Sequence, residues 1–252
     1  VMPGDTFVTV LPSFGRHEIE ALAAGAHLVK VPMDDSMDFP LDGLEAELAE
    51  RPALLMLASP WNPVGTALDA EGLQRLIDAT QPGTLFVFDE AYIEFADPDG
   101  PDGIEMLRRS GIDWLVLRTF SKAYGLAGAR VGYAVGDPDL ITALGKVYVP
   151  FTASSLAQAA AIASVNAAEE LLARTDAVVA ERTRVGDALR GAGYELPASQ
   201  ANFVWLPLGP QHTADFVEQA ADARILLRPY GSDGVRVTIG APHENDAFLS
   251  FA

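Results

Sequence analysis

Cysteine is absent from this 252-residue chain, and lysine is scarce: of 17 basic residues only Lys30, Lys122 and Lys146 are lysines. Without cysteine there is no disulfide, no thiolate metal site and no cysteine nucleophile. That fits a reducing compartment, and a cytoplasmic protein is expected. Positive charge is short as well. Seventeen basic residues face 35 acidic ones, a formal net charge of −18. Such a surface repels nucleic acid and anionic membrane, so neither is expected as a partner. A few arginines can still bind small anions locally. No apolar run approaches the ~20 residues that span a bilayer, and no signal peptide is visible. The four histidines show no metal spacing, so no metal is expected, and they read as surface or supporting groups. With 49% hydrophobic and 21% charged residues, the chain is not of the disordered kind.

What is present is an alternation. Thr6–Leu11 reads as strand, Arg16–Ala24 as helix, Ala26–Val31 as strand and Leu41–Glu50 as helix. Ala53–Ala58 is a continuous apolar run, as in a strand covered on both faces. Helix follows over Asp69–Thr80, and buried strands over Thr84–Phe88 and Trp114–Leu117. This order predicts an α/β fold, a three-layer sandwich with a mainly parallel sheet. After Pro150 the texture changes. Ala153 to about Arg190 is Ala-rich and helical, strands are expected at Asn202–Leu206, Arg224–Leu227 and Val235–Ile239, and a helix near Asp215–Ala221. The expected division is therefore a large domain over 1–150 and a linking helix with a small α+β domain over 151–252. Strand-like sequence begins almost at residue 1 and Asp246–Ala252 reads as a helix cut off mid-turn, so a piece of a longer chain is expected.

Parallel sheets bind ligands beyond the carboxyl ends of their strands. Past four successive strands stand Pro12-Ser13-Phe14, Ser59-Pro60-Trp61-Asn62-Pro63, Asp89-Glu90-Ala91-Tyr92 and Thr119-Phe120-Ser121-Lys122. An amine at such a strand end, partly removed from water, has a lowered pKa and becomes nucleophilic toward an aldehyde. A lone loop lysine is ordinarily a solvated surface residue, and Lys30 and Lys146 are read that way. Around Lys122 the other strand ends supply a carboxylate, an amide and aromatic rings. Arg130 adds a planar guanidinium suited to phosphate. Arg236, inside the apolar run Val235–Ile239, is costly unless paired.

Asn62-Pro63-x-Gly65, Asp89-x-x-Tyr92, Ser121-Lys122 and Arg130, separated in order by 27, 33 and 8 residues, resemble the fold-type I aminotransferases. The class I/II branch that contains histidinol-phosphate aminotransferase is closest. Asp89–Phe95, Arg118–Arg130, Lys146–Phe151 and Ser199–Trp205 look most like the actinobacterial phenylalanine (aromatic amino acid) aminotransferase group. The resemblance implies pyridoxal 5'-phosphate as cofactor, carried covalently by Lys122, which would also move the substrate Cα proton. It implies that Asp89 grips the pyridine nitrogen and that Tyr92 and Asn62 bond the phenolic oxygen. Phe14 would stack on the ring, and Thr119, Ser121 and Arg130 would hold the phosphate. Arg236 would take the substrate carboxylate, helped by Asn62, with Arg228 for an anionic tail; Asn202 would support the site. The substrates would be an amino acid and a 2-oxo acid, and the assembly a homodimer.

Each residue has a plainer reading. Asp89 could cap a helix, Asn62 could be a turn residue before Pro63, Tyr92 and Phe14 could be ordinary core, and Arg130 and Arg236 could form structural ion pairs. The pattern also departs from the family's Asn-Pro-x-Asn-Pro-Thr-Gly: Ser59 stands for the first Asn and Val64 for the Thr. The family's glycine-containing phosphate loop, substrate lid and intersubunit Tyr belong to an upstream segment not contained in this sequence. Three functions are weighed: transamination of aromatic L-amino acids, transamination of histidinol phosphate, and a non-catalytic relative. A nicotinamide-binding protein is distant, since no G-x-G-x-x-G turn follows the first strand.

Overall fold

A computed structural model describes residues 2–252. The main sheet has six strands in the order β2-β1-β3-β4-β5-β6. They are β1 (Thr6–Leu11), β2 (His27–Pro32), β3 (Leu54–Ala58), β4 (Leu85–Asp89), β5 (Asp113–Thr119) and β6 (Gly132–Gly136). The first five run parallel and β6 is antiparallel to β5.

Alternation along the strands decides which helix covers which face. Val8, Val10, Leu55, Leu57, Phe86, Phe88, Trp114 and Val116 point to one face. There they meet Leu44 and Leu48 of α2 (Leu41–Ala49), Leu73, Leu76 and Ile77 of α3 (Ala70–Ala79), and Leu107 of α4 (Gly103–Ser110). The intervening residues Phe7, Leu54, Val87 and Leu115 point the other way, onto Ala21 of α1 (Gly15–Ala23) and Leu140 of α5 (Pro138–Val147). This is the expected three-layer α/β sandwich. Its chain enters through β1, moves outward to β2 and returns to β3 on the far side. The reversal between β1 and β3 opens a crevice at their carboxyl ends, where parallel sheets take ligands.

The Ala-rich stretch is two helices, α6 (Ser155–Asn166) and α7 (Ala168–Gly191), not one. Beyond them β7 (Phe203–Leu206), β9 (Gly234–Thr238) and β8 (Arg228–Tyr230) form an antiparallel sheet in that order, packed with α8 (Gly209–Asp222) and α9 (Pro242–Phe251). The strand expected at Arg224–Leu227 is not there. Arg224 takes a left-handed turn (φ 63°) and Leu226 is 92% exposed; pairing begins only at Arg228. Arg182 of α7 ties the two bodies together. Its Nη1 donates to the Phe95 carbonyl at 3.0 Å and to the Ala201 carbonyl at 2.8 Å. Among the described residues no helix is long and apolar enough to cross a membrane.

Candidate active site

A cavity of about 730 Å³ lies at the crevice, between the β1–α1 corner and the small sheet. Phe14, Asn62, Tyr92, Lys122, Arg228 and Arg236 all line it. Six of the residues singled out in the sequence therefore converge from positions up to 222 residues apart (14 to 236). Asp89, Thr119, Ser121 and Arg130 lie outside this lining, and so does Asn202.

Lys122 follows β5 in a tight turn closed by the Gly125 amide donating to the Lys122 carbonyl at 2.9 Å. Gly125, at φ 68°, supplies the left-handed residue that the turn requires. As a residue Lys122 is exposed, because the cavity mouth is open, but its Nζ stands 5.0 Å over the Tyr92 ring. Partial burial and the nearby Arg236 and Arg130 cations lower its pKa, while Asp89 pulls the other way. The amine is thus primed toward its neutral, nucleophilic form.

Asp89 ends β4 beside the end of β5, with Asp89 registered against Leu117. Its parity with Val87 turns it to the α1 face. There its Oδ2 lies 3.5 Å from Nε2 of His17, and its Oδ1 accepts from the Ala91 amide at 3.0 Å. His17 is 4% exposed and its Nδ1 lies 3.3 Å from the Ser13 hydroxyl. The carboxylate is therefore held from behind and remains partly open in front, at 16% exposure. Phe14, 40% exposed, lines the cavity and packs T-shaped with His17, ring centroids 5.7 Å apart.

Tyr92 is buried against Phe203, with ring centroids 5.1 Å apart. Burial raises its phenol pKa, and Arg236 partly offsets that. Asn62 Oδ1 accepts from Arg236 Nη1 at 2.8 Å and from the Tyr230 hydroxyl at 3.0 Å. Arg236 also lies 5.0 Å from the Phe203 ring centroid, and its Nε is buried without a hydrogen-bond partner. The arginine in the apolar strand is thus paired with an amide and two rings rather than with a carboxylate. An orphaned guanidinium N–H beside a cavity is a site for an incoming anion.

Thr119 Oγ1 accepts from the Ser121 amide at 3.1 Å, shaping the turn before Lys122. Arg130 is exposed, left-handed at φ 54°, and donates to the Ala127 carbonyl at 2.7 Å. Lys30 pairs with Glu18 at the surface and Lys146 is exposed, as expected.

Sequence reasoning missed three residues here. His17 gave no signal beyond its place three residues after Phe14. Tyr230 stands two residues after Arg228 and belongs to none of the motifs. Glu90 was not singled out: it is 1% exposed and bonded through Oε2 to Arg118 Nε at 2.7 Å, with burial pushing its pKa up against the pull of Arg118. A buried carboxylate between Asp89 and Tyr92, bonded to the residue before Thr119, fastens the end of β4 to the end of β5.

The profile of the aminotransferase class I and II family matches residues 1–250. The chain belongs to this family. It is 57% identical over 251 residues to the aromatic amino acid aminotransferase of Mycolicibacterium smegmatis, covering 99% of this chain and 68% of that protein. The aromatic amino acid aminotransferase of Mycobacterium tuberculosis (strain ATCC 25177 / H37Ra) is 55% identical over 250 residues, covering 99% and 70%. Among solved structures, the histidinol-phosphate aminotransferase of Sinorhizobium meliloti, in complex with pyridoxal-5'-phosphate, superposes with a TM-score of 0.91 at 32% identity, covering 99% of this chain and 70% of that one. The protein is accordingly an enzyme of the aminotransferase class, with the fold of the pyridoxal-phosphate-dependent transferases.

Proposed function

We propose that this aminotransferase uses pyridoxal 5'-phosphate to move the amino group of aromatic L-amino acids onto a 2-oxo acid. The observation that carries the proposal is one cavity lined by a pKa-lowered amine, Lys122, and by Arg236, whose buried Nε has no partner, with the anchored carboxylate Asp89 near enough to act on the Lys122 charge. These residues fit the cofactor's chemistry: amine for aldehyde, carboxylate for ring nitrogen, and a partly exposed aromatic ring at Phe14 in the cavity lining. When bound, pyridoxal phosphate supplies the aldehyde and the electron-withdrawing ring.

The Lys122 amine would hold the cofactor and would carry the proton to and from the substrate Cα. Asp89, steadied by His17, holds a proton on the ring nitrogen. Tyr92 and Asn62 donate to the phenolic oxygen. Thr119, Ser121 and Arg130, at and just after the end of β5, would hold the phosphate. Arg236 grips the substrate carboxylate as a fork. Neither metal nor nucleic acid enters this scheme. The aromatic preference rests on the names of relatives at 55–57% identity. Arg228, lining the cavity, is the observation that favours histidinol phosphate as the alternative. The kcat/KM ratio for phenylalanine over histidinol phosphate decides between them; a ratio below one overturns the aromatic assignment.

A homodimer accompanies this reading. Val147, Val149, Phe151, Leu156 and Ile162 are 64–97% exposed along α5, α6 and the link between them. Large apolar side chains left exposed over one stretch of chain support an interface there.

A further inference from the structure

The hydroxyl of Tyr230 touches neither Lys122 nor Asp89, yet it joins the small sheet to the large one at the centre of the site. Tyr230 is the last residue of β8 and its ring lines the cavity. Its hydroxyl donates to Asn62 Oδ1 at 3.0 Å, and Arg236 Nη1 donates to the same oxygen at 2.8 Å and lies 3.4 Å from the tyrosine oxygen. Trp205, in the middle strand's partner β7, packs edge-to-face on the Tyr230 ring at 6.0 Å and fixes its direction.

The chemistry of this triangle is directional. Arginine has only donors, so the Asn62 atom facing it is the amide oxygen. With both contacts spent on Oδ1, the amide nitrogen is the end left to donate elsewhere. Removing one of the two donors leaves the buried amide, 4% exposed, held by Arg236 alone. Arg236 would then be free to trade Asn62 for other partners.

The geometry points to Tyr230 as a positioning residue: its hydroxyl locks the Asn62 amide with the nitrogen toward the cofactor oxygen and holds Arg236 in register for the substrate carboxylate. This rests on the aminotransferase reading above.

The test is Tyr230→Phe, which deletes one oxygen and keeps the ring packed on Trp205. Three readouts are taken on the pyridoxal-phosphate-loaded protein. The affinity for 3-phenylpropionate, measured by calorimetry, should fall about three- to ten-fold, the value of one hydrogen bond. The pH midpoint of the bound cofactor's visible absorbance should rise, because a donor to the phenolic oxygen has been loosened. In an Asn62→Ala background, Tyr230→Phe should add almost nothing to either loss, since both act through one amide. A ligand affinity and a midpoint equal to those of the wild type, or full additivity with Asn62→Ala, overturns the positioning role while leaving the enzyme assignment standing. A wild-type protein that shows no cofactor absorbance at all overturns both.

Discussion

Replacing Arg236 by lysine keeps the positive charge and removes the fork. In the folded chain this guanidinium is held by Asn62 and flanked by two rings, with its Nε buried and unpartnered. A substrate carboxylate would complete it through two parallel charge-assisted hydrogen bonds. Lysine can restore one of them at best. Such a bond is worth about 1.5–3 kcal/mol, so kcat/KM for phenylalanine should fall by about 10- to 150-fold. Folding stability should move little or upward, because a buried N–H without a partner costs about 1–3 kcal/mol and the variant removes it. The assay compares phenylalanine with 2-phenylethylamine, which lacks the carboxylate, in single-turnover half-reactions. The variant's penalty should be confined to phenylalanine. An equal loss on both substrates, or a large drop in Tm, would mean that Arg236 serves the fold and not the carboxylate.

Other consequences are as direct. Arg130 lowers the Lys122 pKa, so Arg130→Gln should move the pH midpoint for cofactor capture by the apoprotein upward, and Asp89→Asn, which removes an opposing influence, should move it downward. Gly65 sits at φ 96° with space for no Cβ, since one would come within 2.3 Å of Ser199 Oγ. Gly65→Ala should cost about 2–3 kcal/mol, read as a Tm drop of roughly 4–10 °C; an unchanged Tm would contradict the packing described. His17→Phe should lower kcat by about ten-fold and have little further effect once Asp89 is already Asn, because its role passes through that carboxylate. Phe151→Asp should convert a dimer to a monomer in light scattering; a mass equal to that of the wild type would remove the α5–α6 band from the interface.

Much of this was readable before folding. Strands β3 and β4 announce themselves as short apolar runs, and their ends deliver Asn62 and Asp89 to one edge because parallel strands share a direction. What escaped reading is physical in origin. Gly132–Gly136 lacks the bulky β-branched run that marks a strand, and its pairing with β5 is a tertiary choice. The break between α6 and α7 at Ala167 carries no glycine or proline, so an Ala-rich stretch gives no punctuation. Arg224–Leu227 has strand-like composition, yet Arg224 turns the chain and the sheet starts three residues after the apolar run begins. His17 and Tyr230 are invisible for another reason. Their importance lies in contacts across 72 and 168 residues, to Asp89 and Asn62, which no local pattern encodes.

The most direct examination uses borohydride. The protein is incubated with pyridoxal phosphate, reduced, digested and mapped by mass spectrometry. The pyridoxyl label should fall on the peptide containing Lys122, not on Lys30 or Lys146, and Lys122→Ala should lose it. Label spread evenly over the three lysines, or retained in full by Lys122→Ala, would contradict the assignment of Lys122 as the cofactor's point of attachment.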